Sequence, residues 1–225
     1  MIKKTVFAVF ACFSLSALVS CTSNLSETPT MSKTRAMSIA AGGSSASSFL
    51  PLPASSSTVA KASKLSKDKH GMPTYHNHSD RTRYVRTTAF SHMENEPGAP
   101  GRMNASGGIL KYGSVRSAAA DWSVYPLGTM FRVKGQPHTY VVDDYGSALA
   151  GTNTIDIFKP CLNTMRQWGT RETEITVIQW GSYERSVRLL KGRVRHDHCR
   201  HMYHGCMKKL SCRVASKDIA SNGAL

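Results

Sequence analysis

The sequence predicts an all-β domain, a small closed barrel, on three observations. Short runs rich in Val, Ile, Thr and aromatic residues recur between residues 84 and 180 of the 225. Gly and Pro punctuate these runs at short intervals, as in small barrels. The foldable stretch, about 110 residues, is enough for one small domain. In order, residues 84–90 read as the first strand and 129–133 as the next. The turn Lys134-Gly135-Gln136-Pro137-His138 then leads into a strand at 139–144. Runs at 155–158 and 173–180 complete the set. In the last, Ile175 and Val177 share one face and Thr176, Ile178 and Trp180 the other, so both faces are expected to be covered. A short helix is predicted near 161–168.

The first twenty residues have a signal-peptide layout. Lys3 and Lys4 form a positive n-region, and 5–18 is almost wholly apolar or small. The run is too short for a comfortable spanning helix. Leu18-Val19-Ser20-Cys21 resembles the bacterial lipobox, in which the cysteine becomes the lipidated first residue. Thr22 follows it where inner-membrane lipoproteins carry Asp. The resemblance therefore implies an outer-membrane lipoprotein facing the periplasm, anchored by acyl chains on Cys21. Residues 21–82 are expected to form a tether. To about residue 68 they are mostly Ser, Ala, Thr and Lys with Pro51 and Pro53 embedded, a composition that predicts disorder. Such a chain reaches about 35–40 Å on average, enough to let the barrel at 83–192 sweep nearby cell wall.

Residues 193–225 form a basic, His/Cys-rich extension. His196, His198, His201 and His204 alternate irregularly with Cys199, Cys206 and Cys212. Imidazole and thiolate suit zinc or copper. No CxxC pair or HExxH helix is present, so no metal site is assigned. In an exported protein Cys161, Cys199, Cys206 and Cys212 can form disulfides in any pairing, and one reading of the extension joins Cys206 to Cys212. Removing the extension is expected to leave the barrel's chemistry untouched.

With 29 Lys+Arg against 14 Asp+Glu, the formal net charge is +15. Such a charge favours anionic partners: nucleic acid, anionic lipid or the carboxylate-bearing peptidoglycan mesh. The sequence has no RNP-like, zinc-finger or helix-turn-helix signature, which weighs against nucleic acid. An exported lipoprotein meets cell wall and headgroups instead.

The chemistry is expected at three acids spaced through Gly-rich, strand-like sequence, Asp121, Asp144 and Asp156. Carboxylates pressed into one pocket repel each other and lose solvent. A pKa rises, and one of them can carry a proton at neutral pH, as a general acid for glycosidic cleavage must. Asp156 is flanked by Ile155, Ile157 and Phe158, and a carboxylate on an apolar strand costs several kcal/mol unless neutral or well hydrogen-bonded. It is nominated as the acid. Asp143 and Asp144 are adjacent on a strand and point to opposite faces, so only one can enter the pocket. Asp121 precedes the tight Pro126-Leu127-Gly128 turn, as a positioning residue or a cap.

Asp121-Trp122-Ser123-Val124-Tyr125-Pro126-Leu127-Gly128, then Asp144-Tyr145-Gly146-Ser147-Ala148-Leu149-Ala150-Gly151, then Ile155-Asp156-Ile157 resemble in order the motif of the 3D (Asp-Asp-Asp) domain. That domain is similar to the catalytic barrel of MltA-type membrane-bound lytic transglycosylases. Arg86-Thr87-Thr88-Ala89-Phe90 and Asn104-Ala105-Ser106-Gly107-Gly108 look like its opening strand and first loop. The segment between Asp144 and Asp156 is one residue longer than usual, and Tyr145-Gly146-Ser147 replaces a more usual Thr-Gly-Gly.

The resemblance implies a six-stranded double-psi β-barrel. It selects Asp144 over Asp143 by the glycine register, and it also places the acid at Asp156. It implies cleavage of the MurNAc-GlcNAc β-1,4 bond of peptidoglycan by a single Asp acid/base. The sugar's own C6 hydroxyl attacks, giving 1,6-anhydro-muramic ends, and no cofactor is needed. Thr88, Tyr145 and Trp122 are expected sugar contacts, with Gly146 and Gly151 shaping the loop beside them. The expected partners are glycan strands and, through the anchor, the membrane, with the protein acting as a monomer. Two rival readings use the same residues differently: a non-catalytic glycan-binding lipoprotein using the barrel pocket, and a metal-handling or interaction protein acting through its tail.

Overall fold

The computed structural model describes residues 50–94 and 101–222, with side chains to residue 213. The expected signal segment 1–20, Cys21 and the first part of the tether lie outside the described residues. Six strands close into a ring: β1 (Thr82–Phe90), β2 (Val115–Ala119), β3 (Met130–Val133), β4 (Thr139–Asp144), β5 (Thr154–Phe158) and β6 (Arg171–Gln179), in the order β1-β5-β2-β4-β3-β6. The pairs β1/β5 and β2/β4 are parallel and the remaining four antiparallel. Alternation places Val85, Phe131, Val133, Tyr140, Val142, Ile155, Ile157, Ile175 and Val177 in one buried core. On β6 the outer face is not fully covered as expected, since Ile178 is largely exposed.

The expected strands and the helix α2 (Leu162–Trp168) are present, each within two residues of the predicted limits. β2 was not expected. Its sequence, Val-Arg-Ser-Ala-Ala, carries little strand propensity. It forms because two neighbours, β4 and β5, supply ladder partners on either side. Small side chains are what that position tolerates: Ala118, Ala119 and Ala120 are all buried.

The all-β expectation needs correction at both ends. Residues 50–82, assigned to a disordered tether, are fastened to the barrel. Helix α1 (Ser56–Ser63) is capped by Ser55, whose side chain accepts from the Thr58 N–H. Ser55 also donates its N–H (3.0 Å) and hydroxyl (2.6 Å) to Glu174 on β6. The Leu52 N–H donates to the Lys134 carbonyl, and Thr173 Oγ1 donates to the Leu52 carbonyl. Ala62, Met72 and Tyr75 are buried. Order here comes from hydrogen bonds to β6 and a few anchors, and hydrophobic periodicity does not report such contacts.

The expected C-terminal tail is two helices, α3 (Tyr183–Lys191) and α4 (Asp197–Asn222). Ser182 caps α3 by accepting from the Arg185 N–H. Tyr183, Ser186 and Leu190 turn inward, and Ser186 Oγ accepts from the Leu127 N–H of the Pro126 turn. Cys199, Met202 and Cys206, at helical spacing along α4, are fully buried in the core cluster. The Trp122 N–H points at the Met202 sulfur (3.4 Å), and the Cys206 thiol donates to the Trp122 carbonyl (3.3 Å). A Cys206–Cys212 bridge is ruled out by this geometry. Cys206 faces the core and Cys212, six residues further on the same helix, is exposed.

At Gly205, α4 packs closely on the loop after β2. A Cβ placed there would lie 2.4 Å from Ser123 Cβ. Gly205→Ala is therefore expected to lift the helix and cost about 1–3 kcal/mol. Thermal denaturation reads the loss, and an unchanged melting temperature would contradict this docking.

Candidate functional site

The two nominated carboxylates meet across the strand that the sequence did not reveal. Ala119 on β2 pairs with Asp156 on β5 and with Asp144 on β4. Asp156 pairs in turn with Thr88 on β1. Four adjacent strands thus align Thr88, Asp156, Ala119 and Asp144 in one row across the barrel wall, with neighbouring strands about 4.8 Å apart. The methyl of Ala119 is the smallest Cβ-bearing side chain available between the two acids. The register also shifts between Ala118 and Ala119, where β4 carries one extra residue, Asp143, between the partners of β2.

Asp144, Ala119 and Asp156 open onto a cavity of about 520 Å³. Its wall includes Phe90, His92, Asn104, Ala105, Leu110, Tyr145, Gly146, Leu149 and Arg193. The loop at 104–108 is tied to the acids, since the Ala105 N–H donates to Asp144 Oδ1 at 3.0 Å. Asn104 braces the same loop, its Oδ1 accepting from the Ser106 hydroxyl and the Gly108 N–H, both at 2.8 Å.

The two acids differ in how they are held. Asp144 Oδ1 accepts from two backbone N–H groups, Ala105 and Tyr145 at 2.9 Å. Burial raises its pKa to about 6, these two donors oppose the rise, the charge of Asp143 adds to it and Arg193 opposes it. Asp156 Oδ1 accepts from Thr88 Oγ1 at 2.7 Å. Burial raises its pKa to about 6 as well. The Thr88 hydrogen bond opposes this, while Glu94 and Asp144 push it further up. Asp143 is paired and not solvated. It is buried against Lys111 Nζ (2.5 Å) and the Ser117 hydroxyl (2.9 Å).

Asp121, nominated beside the other two acids as a positioning residue or a cap, does not join the cavity lining. Both of its oxygens are engaged. Oδ1 accepts from the Ser123 N–H and hydroxyl at 2.8 and 2.7 Å, and Oδ2 accepts from the Gly151 N–H at 2.6 Å. His201 of α4 approaches Oδ2 at 3.5 Å, and this contact raises the His201 pKa. Asp121 is therefore a fully buried tie between the loop after β2, the Gly151 turn (φ +74°) and α4. Gly151 likewise lies outside the cavity lining. Trp122, an expected sugar contact, is core: it is fully buried, and its Nε1–H donates to the Asp144 carbonyl at 2.9 Å. Tyr145 and Gly146 do line the cavity, and Thr88 acts on it through Asp156.

Arg193, His92, Asn104 and Ala119 went unrecognised in the sequence. Of these only Asn104 sat within a motif. Arg193 looked like one more positive charge at the start of a basic tail. Among the described residues, no group of three His, Cys, Asp or Glu side chains converges as metal ligands would.

Fold and site together define a six-stranded barrel with two carboxylates of raised pKa on one cavity. Residues 116–187 match the family model of the 3D domain. The matched stretch runs from β2 into α3 and contains Asp121, Asp144 and Asp156. No curated protein matches the chain.

Proposed function

We propose that this protein cleaves peptidoglycan glycan strands as a lytic transglycosylase, with Asp156 as the single acid/base. The observation that carries the reading is the Thr88–Asp156 hydrogen bond beside a cavity. A hydroxyl can both donate and accept. Thr88 can therefore donate to the Asp156 carboxylate and accept from the Asp156 carboxylic acid without moving, so the bond survives each proton transfer. Asp144 is gripped by two backbone N–H groups, which only donate and so favour its carboxylate form. Asp156 is suited to cycling and Asp144 to supporting it.

In this reading Asp156 protonates the departing glycosidic oxygen. As a carboxylate it then takes the proton of the substrate's own C6 hydroxyl, which attacks the anomeric carbon and closes a 1,6-anhydro ring. The nucleophile is already attached, so proximity replaces an activated water and a second catalytic carboxylate is unnecessary. The 3D-domain match and the three-aspartate motif support peptidoglycan as the substrate class. The mixed parallel and antiparallel ring supports the double-psi form of the barrel. The Lys3-Lys4 start and the Leu18–Cys21 pattern support export and lipid anchoring in the outer membrane. No helix among the described residues is long and apolar enough to cross a membrane.

A general acid at about 6 must be protonated at the start of the reaction, so sacculus-clearing activity should fall about tenfold per pH unit above that value. The Asp144 charge helps hold the Asp156 proton. Asp144→Asn should therefore shift this falling limb to lower pH and reduce activity only in part. A limb that stays put in Asp144→Asn would remove Asp144 from the mechanism. Glycan binding without clearing by the unmodified protein at any pH from about 4 to 8 would leave a binding lipoprotein in place of an enzyme.

A further inference from the structure

Arg193 stands outside the matched 3D stretch, at the junction of α3 and α4, yet forms part of the cavity wall with Asp144 and Asp156. Its backbone is fixed by the N–H to the Leu190 carbonyl and by its own carbonyl, which accepts from the His196 N–H. Its side chain is clamped at one nitrogen only. Nη1 donates to the Ala105 carbonyl at 2.8 Å and to the Tyr145 hydroxyl at 3.2 Å, which uses both of its hydrogens. The guanidinium carbon lies 5.8 Å from the Tyr145 ring centroid. Nε and Nη2 bond to no described residue, and neither is among the buried polar atoms left without a partner. They remain open to solvent. Its charge acts on Asp144, but among the described residues Arg193 forms no ion pair.

Nε–H and one Nη2–H form the side of the guanidinium that matches the two oxygens of a carboxylate. A clamp that spends Nη1 on the protein and leaves this edge open presets an anion site on the cavity that Asp144 and Asp156 also line. We propose that Arg193 is a specificity residue that binds a carboxylate carried by the saccharide, and so selects muramic-type strands over neutral glycans. This rests on the reading that the cavity takes glycan strands. The carboxylate has two sources: the lactyl group of a peptide-free muramic residue, or the stem peptide.

The test measures equilibrium binding in the cleavage-blocked Asp156→Asn protein, with and without Arg193→Gln or Arg193→Lys. Three probes are used: intact peptidoglycan fragments, amidase-stripped glycan strands, and neutral chito-oligosaccharides. Arg193→Gln should weaken binding of a carboxylate-bearing probe about tenfold or more and leave chito-oligosaccharides unchanged. Arg193→Lys, with charge but no fork, should fall between. A loss on intact fragments alone assigns the stem-peptide carboxylate. A loss on stripped strands alone assigns the lactyl carboxylate, which the stem peptide otherwise caps as an amide, and a loss on both means that either carboxylate is taken. Equal binding of all probes by all variants overturns the proposal, as does a uniform loss that Arg193→Lys fully restores on neutral and charged probes alike. The two readings fail separately. Should the unmodified protein cleave nothing while the carboxylate-dependent difference persists, catalysis fails and Arg193 stands. Cleavage with no such difference has the opposite meaning.

Discussion

Asp156→Asn is expected to lower sacculus-clearing activity by about 10²-fold or more while the melting temperature at pH 8 holds or rises. Asn keeps the shape and can still bond to Thr88, but it cannot release and recapture a proton. The stability side follows from linkage. The Asp156 pKa rises from 3.8 to about 6 on folding, chiefly through burial. Between those values the native state binds more protons than the unfolded chain, so stability falls as pH rises. Above about 6 the cost is fully present, at most about 3 kcal/mol for a shift of this size. Asn removes it. The variant and the parent should therefore melt alike near pH 3 and diverge in the variant's favour between pH 4 and 6. A structural role predicts the opposite: a lower melting temperature, with activity tracking the folded fraction. Full activity in Asp156→Asn would falsify the assignment.

Deleting residues 193–225 is expected to unfold the domain, not merely trim a tail. The deletion removes three fully buried side chains, Cys199, Met202 and Cys206, from the shared core. It also exposes part of the surface around Trp122 and Tyr183, and leaves the Trp122 N–H without Met202 and Asp121 without His201. Each large apolar side chain that loses burial costs about 1.5–3 kcal/mol. Several such losses are comparable with the whole stability of a small domain, about 5–15 kcal/mol. Circular dichroism should show loss of the cooperative transition, and clearing activity should vanish with it. A truncated protein that melts cooperatively at the parent temperature would mean that α4 contributes nothing to the fold.

What the sequence disclosed follows from where each signal resides. Strands β1, β3, β4, β5 and β6 were legible because β-branched and aromatic residues alternate against one core. β2 was hidden because its stabilising contacts lie on its neighbours and its own residues must be small. Helix α4 was misread for a different reason. Cys199, Met202 and Cys206 already stand at helical spacing, but the interleaved histidines drew attention to metal and disulfide chemistry. Asp144 and Asp156 were identifiable from a glycine register and an apolar flank, both local features. Asp121 shares the motif but is consumed by four hydrogen-bonding contacts that only the folded chain brings to it. Arg193 reaches the cavity only because α3 and α4 fold back onto the barrel, and no local pattern marks it.

The central claim is that one carboxylic acid and an intramolecular hydroxyl do the chemistry beside Ala119. Mass spectrometry of the muropeptides released from purified sacculi tests it most directly. The account predicts products ending in 1,6-anhydro-muramic acid, formed by the parent and lost in Asp156→Asn. Products with ordinary reducing ends would show that water is the nucleophile and that both carboxylates act, contradicting the single-acid mechanism.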